Sequence, residues 1–253
     1  MCSSDLLQLA PLPQKVLDPE KIDLFYPWPE KVWLRANMVQ SLDSAIVDQN
    51  GTTKNLSGEI DKKVFRTLRQ LCDVVIIGSN TAQKSPYQDF KISEKHQIIR
   101  KRLRMPEKPR LAIISNNLNI SKEFFKDWRE SNQVLLYTHQ NNEPNIKPYI
   151  GLAEIVYCGQ RQINLKSVKQ DLVRRSFKRI LCEGGPSLLH SLLKENLVDE
   201  IDLTIETKIL NTPDSLTLVN GEVFKPFIKL LPHQLIQHEK TLLLRYLVQG
   251  HRF

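Results

Sequence analysis

The stretch Arg179–Ser191, RILCEGGPSLLHS, decides how the chain is read. The short apolar run Ile180-Leu181-Cys182 is followed by an acid, two glycines and a proline, and then by an apolar helical pattern. That order predicts strand, tight turn, helix. Gly184 and Gly185 permit positive φ and close approach of a ligand to the backbone. Pro186 suits the first helical turn, where a missing N–H costs little. The N–H groups left unpaired at such a helix start favour an anion, typically a phosphate. The stretch therefore reads as an anion cradle with a carboxylate, Glu183, at its lip. An ordinary strand-to-helix turn with a solvated glutamate has the same pattern.

Working outward, Trp33–Leu42 predicts an early strand that ends at Asp43, and Asp48–Asn55 is a turn-rich loop around Asn50-Gly51. Leu56-Ser57-Gly58 leads into a helix from about Asp61 to Leu71, with Val64, Leu68 and Leu71 on one face. Val74–Ile77 reads as a buried strand closing at Gly78, with Gly78–Thr81 a polar strand-end loop. Residues 83–110 are charged and irregular, with prolines at 86, 106 and 109, and read as a long surface excursion. Leu111–Ile114 is a further strand ending in Ser115-Asn116-Asn117. Lys122–Glu130 suggests a short helix, Val134–Thr138 and Ala153–Tyr157 strands, and Asn164 a cap on a helix carrying Leu165, Val168 and Leu172. Beyond the opening stretch come a strand at Glu200–Ile205 and a terminal hairpin from Leu235–His238 and Thr241–Val248. Strands alternating with helices predict an α/β fold: a mostly parallel sheet with helices on both faces and a C-terminal antiparallel hairpin. Residues 1–30, rich in proline and polar groups, read as an N-terminal arm, and 31–253 as one domain.

The chain has 253 residues, 41% hydrophobic and 25% charged, enough for a folded core. No apolar run approaches the length of a membrane span, and the N-terminus lacks the regions of a signal peptide. Cysteines at 2, 72, 158 and 182 form no CxxC pair. Cys72, Cys158 and Cys182 lie in apolar runs and read as reduced core residues. The six histidines show no metal-binding spacing, so no metal is expected. The net charge of +8 is compatible with nucleic acid, a membrane surface or a phosphorylated small ligand. No nucleic-acid-binding signature accompanies it, and the cluster at Arg100–Arg104 and Lys108–Arg110 reads as a solvated loop.

Four strand ends carry small or polar groups: Asp43, Gly78–Thr81, Ser115-Asn116 and Glu183–Gly185. In a parallel sheet they share one edge, where ligands bind. Hydroxyls, amides and a helix start suit a polyphosphate, without the GxGxxG fingerprint, and Ser115-Asn116 fits a 2′-phosphate. No serine has a histidine partner, which disfavours hydrolase chemistry.

Several segments in order carry a resemblance: Ala36-Asn37, Ser41-Leu42-Asp43, Leu56-Ser57-Gly58, Leu68-Arg69, Val75–Gly78 with Thr81, Glu183–Pro186 and Leu197–Glu200. Together, over about residues 32–248, they resemble the pyrimidine reductase of riboflavin biosynthesis, the dihydrofolate-reductase-like domain often fused behind a deaminase. Tyr26-Pro27 and Arg35–Val39 look like its stand-alone actinobacterial form, and no deaminase zinc signature is present.

The resemblance implies an NADPH-dependent oxidoreductase that converts the ribosyl group of 5-amino-6-(5-phosphoribosylamino)uracil to ribityl. The sugar opens to an imine and hydride reaches C1′. By position it implies Asp43 and Glu183 as catalytic acids, and Asn37, Arg69 and Thr53 as substrate contacts, Arg69 toward the phosphate. It likewise implies Val39, Asn55, Gly78, Thr81, Ser115, Gly184, Gly185, Pro186, Ser187 and Leu188 as cofactor contacts. A cytoplasmic homodimer that binds no nucleic acid and no membrane completes the expectation. The chain departs from the family at Ser44, where glycine is usual, at Asn80, and in the acid-free run Thr81–Pro86. The same residues are compatible with a same-fold reductase of another substrate, or with a nucleotide-binding member that transfers no hydride.

Overall fold

β-Branched and apolar runs form the strands. In the computed structural model, which describes residues 6–10, 15–53, 55–84, 87–128, 133–212 and 216–249, these are β1 (Leu6–Ala10), β2 (Lys15–Leu17), β3 (Trp33–Ser41), β4 (Val74–Gly78), β5 (Arg110–Ile114) and β6 (Val134–Thr138). They continue with β7 (Glu154–Tyr157), β8 (Arg179–Cys182), β9 (Glu200–Glu206), β10 (Leu230–His238) and β11 (Thr241–Val248). Among the described residues they make one sheet in the order β2-β1-β10-β11-β9-β3-β8-β4-β5-β6-β7. From β9 to β7 every neighbouring pair is parallel. β10 and β11 are antiparallel, as the terminal hairpin predicts, and β1 and β2 extend that edge.

Alternation along the strands divides two cores. Val75, Ile77, Leu111, Ile113 and Leu181 face α1 (Glu59–Leu71), whose Ile60, Val64, Leu68 and Leu71 are buried at helical spacing. Leu34, Ala36, Val74, Ile76, Ile180 and Cys182 point the other way, against α4 (Leu165–Arg174) and α5 (Pro186–Lys194). The Asn164 side chain caps α4 by accepting from the Ser167 amide at 2.9 Å. Cys72, Cys158 and Cys182 are buried free thiols, and burial pushes Cys182 up to about 12.

Three expectations change. The loop expected at Gly78–Thr81 is a helix start: α2 (Ser79–Lys84) follows β4 directly. The expected surface excursion after it contains α3 (Glu94–Arg102) and buries Tyr87 and Phe90, with Phe90 edge-on to Trp128. Ser85 and Pro86 lie outside the described residues. Arg100, read as part of a solvated cluster, is buried; its guanidinium donates to the carbonyls of Pro106 (2.7 Å), Cys72 (2.8 Å) and Gln70 (3.1 Å). A side chain that satisfies three backbone acceptors is held inside despite its charge.

Of the residues read as an arm, 15–30 lie partly against the body. The 3-10 turn Pro19–Phe25 packs Ile22 into the α1-facing core, and β1 pairs with β10.

Candidate active site

The opening stretch folds as its sequence suggests. β8 ends at Cys182, the Glu183 amide donates to the Ile76 carbonyl at 3.1 Å, and the Gly78 amide donates to the Gly184 carbonyl at 2.9 Å. These two bonds pin the turn to the end of β4. Gly184 has φ +90°, where a side chain is strained, and the Gly184–Gly185 peptide is cis. Gly185 has an ordinary φ of −73°, so what restricts it is space: a Cβ there would lie 3.1 Å from Thr81 Oγ1. A Cβ on Gly78 would sit 3.7 Å from Leu188 Cβ and 3.8 Å from the Gly185 nitrogen. The structure thus brings together Gly78, Thr81, Gly184, Gly185 and Leu188 around the first turn of α5, which begins at Pro186 and Ser187. Among the described residues no side chain caps that helix start. Ser115 stands two strands away, at the end of β5, fully buried, and its Oγ has no hydrogen-bond partner among the described residues.

On the α1 side of the same edge, Arg69 and Glu183 form a two-pronged ion pair. Nε donates to Oε1 at 2.7 Å and Nη2 to Oε2 at 2.6 Å. The Glu183 side chain is 1% exposed and that of Arg69 22%. Burial disfavours the guanidinium's charge, but Glu183 outweighs it and raises the Arg69 pKa. Phe65, Tyr87 and Phe90 surround the guanidinium, with ring centres 4.0, 4.7 and 5.4 Å from its carbon. Asn37 sits beside this pair, since Ala36 is in register with Cys182. Its Oδ1 is buried with no hydrogen-bond partner among the described residues, as an acceptor kept for a ligand would be. Half-buried Val39 follows on the same face, in register with Thr204. Asp61, on the first turn of α1, is held by the Ser57 hydroxyl, and burial raises its pKa.

Asp43 is placed differently from an acid. Its carboxylate accepts from the Ser41 hydroxyl at 2.5 Å and from the amides of Leu210 (3.2 Å) and Asn211 (2.8 Å). The Ser41 hydroxyl, then the two amides, lower its pKa to about 2. At neutral pH it is an anion with no proton to give, and it ties the 208–211 segment to the end of β3. Lys208 extends the tie by donating to the carbonyls of Asn55 (3.3 Å) and Leu56 (3.2 Å). Asn55 itself donates to Asp48 at 2.8 Å, and exposed Thr53 gives its carbonyl to the amides of Leu56 and Ser57. Because the folded pKa of Asp43 is depressed, its contribution to stability is present above about 4 and lost as pH falls toward 2. Asp43→Asn therefore lowers the melting temperature at pH 6 but not at pH 2; equal shifts at both would show that the tie does not depend on charge.

Sequence reasoning missed the Tyr87 contact, the 208–211 segment and the pairing of Arg69 with Glu183. Two aromatics, Tyr87 and Phe90, in an otherwise charged run were the available signal for the first.

A strand-end cradle thus lies beside an aromatic-lined Arg–Glu pair at the carboxyl edge of a mostly parallel sheet. Residues 32–242 match the family model described as the RibD C-terminal domain, and the chain belongs to that family. A relative from Archaeoglobus fulgidus, named 2,5-diamino-6-ribosylamino-4(3H)-pyrimidinone 5′-phosphate reductase, is 26% identical over 74% of this chain and 86% of its own. The riboflavin biosynthesis protein RibD of Aquifex aeolicus is 25% identical over 72% of this chain and 48% of its own. Among solved structures, a pyrimidine reductase-like protein from Corynebacterium diphtheriae superposes with a TM-score of 0.79 at 22% identity, covering 92% of this chain and 99% of that one. The riboflavin biosynthesis reductase of Saccharomyces cerevisiae superposes at 0.67 with 15% identity, covering 91% and 100%. At those identities the superpositions speak for the fold.

Proposed function

We propose that the chain is an NADPH-dependent reductase that converts the ribosyl group of a 5-phosphoribosylamino-pyrimidine to ribityl. The substrate is 5-amino-6-(5-phosphoribosylamino)uracil or the 2,5-diamino-pyrimidinone form for which the archaeal relative is named. The observation that carries this reading is the side-by-side placement of the Gly184–Gly185 cradle and the Arg69–Glu183 pair on one sheet edge.

The residues present fit a nicotinamide dinucleotide. The absence of a side chain at Gly185, where a Cβ would crowd Thr81 Oγ1, leaves the backbone open to close approach, and Ser115 keeps a buried hydroxyl unpartnered among the described residues. Gly78, Thr81, Gly184, Gly185 and the first turn of α5 would hold the pyrophosphate, and Ser115 the 2′-phosphate end that favours NADPH over NADH. When bound, the reduced nicotinamide supplies a hydride. The chain's own residues bind and orient the substrate. Arg69 meets the substrate phosphate with the part of its guanidinium that faces solvent. Asn37 Oδ1 accepts from the sugar or base. Asp43 keeps the 208–211 segment in place at the mouth. Held together, these fix the sugar so that its C1′ lies in line and shielded from water. The reading includes a homodimer and a cytoplasmic location; no described helix is long and apolar enough to cross a membrane.

Loss of NADPH absorbance on adding each pyrimidine form, with the ribityl product identified by mass, tests the function; no turnover with either form overturns it. For the cradle, Gly185→Val is expected to raise the NADPH dissociation constant by roughly tenfold or more and to lower the melting temperature by less in proportion, since φ there admits a side chain although its Cβ must push Thr81 Oγ1 aside. Unfolding with undiminished binding in the folded fraction would make Gly185 a packing residue only.

A further inference from the structure

Tyr87 comes from the connection between α2 and α3, away from both partners of the Arg69–Glu183 pair in sequence, and its hydroxyl donates to Glu183 Oε2 at 2.7 Å. Glu183 then accepts three hydrogen bonds. Oε1 takes Arg69 Nε, and Oε2 takes Arg69 Nη2 and the tyrosine hydroxyl. A carboxylate so engaged, with its side chain 1% exposed, offers little to an incoming ligand, and the recognising group of the pair is the guanidinium. An arginine on a helix surface normally loses several rotors when it grips an anion. Here the Tyr87 ring, with Phe65 and Phe90, covers the guanidinium, and the tyrosine hydroxyl locks the carboxylate that holds it.

We propose that Tyr87 is a positioning residue for the phosphate end of a phosphorylated ribosyl substrate: it fixes Glu183, and through Glu183 it presents Arg69 in the geometry the phosphate needs. This rests on the reading of the site given above. The advantage is preorganisation, in which affinity comes from order already present in the free protein. Tyr87 also stands six residues beyond Thr81, at the far end of the α2 segment, so one short connection serves both the cradle and the ion pair.

The test compares Tyr87→Phe, which removes only the hydroxyl, with Tyr87→Leu, which removes the ring too. Ribose 5-phosphate is the probe for direct titration by calorimetry, and steady-state kinetics use the pyrimidine substrate. A hydrogen bond to a charged group is large enough that Tyr87→Phe is expected to raise both the probe's dissociation constant and KM by roughly tenfold. The NADPH dissociation constant and kcat stay within about twofold, and the melting temperature falls by several degrees, since the bond is present in the free protein too. In a Glu183→Gln background Tyr87→Phe adds less than it does alone, because the carboxylate it acts on is gone. Tyr87→Leu lowers the melting temperature as well. If the parent protein binds the probe and Tyr87→Phe binds it equally, this inference falls and the function stands. A Tyr87→Phe protein that is destabilised with KM unchanged also overturns it, making Tyr87 a packing residue. A parent protein that neither binds ribose 5-phosphate nor reduces either pyrimidine overturns both.

Discussion

Arg35→Met is expected to lower the melting temperature by about 10 °C. Arg35 is fully buried on β3, and its guanidinium holds two separate parts of the molecule. Nη2 donates to Glu200 Oε2 at 2.9 Å, and Nε lies 3.3 Å from Asp202 Oδ2, both on β9. Nη1 and Nη2 also donate to the carbonyls of Tyr26 (3.2 Å) and Pro27 (2.8 Å), and the Trp28 ring covers the guanidinium at 4.4 Å. Arg245 on β11 completes the network, donating to Glu200 Oε1 at 2.7 Å and to the Phe25 carbonyl at 2.7 Å. Burial works against the Glu200 charge, yet the two guanidiniums bring its pKa down to about 2. Burial of Asp202 outweighs the same two cations, and with Glu200 beside it the Asp202 carboxyl is pushed well above the usual range.

Removing Arg35 strips one cation from the buried Glu200 and leaves two carbonyls without donors. Breaking a buried pair from one side costs about 3–5 kcal/mol. A chain of this length shifts by about 2–4 °C per kcal/mol, which gives the expected figure. Asp202→Asn, at a carboxyl whose charge burial and Glu200 already oppose, is expected to be much milder. Thermal unfolding followed by circular dichroism reads both. A shift under about 3 °C for Arg35→Met would mean that the segment around Tyr26 and Trp28 is held by packing and not by the arginines.

The elements legible in the sequence are those whose stabilisation is local or periodic. The strand–turn–helix at Arg179–Ser191, the apolar face of α1 and the Asn164 cap each declare themselves within a dozen residues. α3 does not, because it is anchored through Arg100 to backbone carbonyls and not by an apolar stripe, and a charged helix without a stripe looks like loop. β1 and β2 are short: β2, at the edge, pairs among the described residues only with β1, and β1 joins the sheet through β10, far along the chain. The candidate site divides in the same way. Glycines reveal themselves by type, and Ser44 is explained after the fact: it adopts φ +68°, the conformation for which the family's usual glycine is suited. Pairings do not reveal themselves. Arg69 and Glu183 lie 114 residues apart, and Asp43 and Asn211 168 apart, so the sequence could name each residue but not what each would hold. Asp43 shows the consequence most clearly. As a lone acid at a strand end it reads as a proton donor, and only its three hydrogen-bond donors show that it is kept ionised.

Arg69→Met, Glu183→Gln and the double variant separate what the ion pair does for the fold from what it does for the ligand. Arg69→Met leaves Glu183, 1% exposed, as a carboxylate with only the Tyr87 hydroxyl to support it. That single change is expected to cost about 3–5 kcal/mol of stability, in line with one-sided loss of a buried pair. Glu183→Gln keeps one acceptor for Arg69, frees the guanidinium's position and is expected chiefly to raise KM. In the double variant no buried charge is stranded. Exchange of a buried ion pair for neutral groups is often close to neutral in stability, so most of the loss in Arg69→Met is recovered. Activity is not recovered with it. On the proposed reading a cation is needed where the phosphate docks, and loss of a hydrogen-bonded charge contact of this kind is worth about 2–5 kcal/mol, or about 30-fold to several thousandfold in kcat/KM. Thermal unfolding and steady-state kinetics on the three proteins therefore give opposite orders: the double variant ranks near the parent for stability and near Arg69→Met for kcat/KM. A double variant that regained both would make the pair purely structural and would move the phosphate contact elsewhere on the edge.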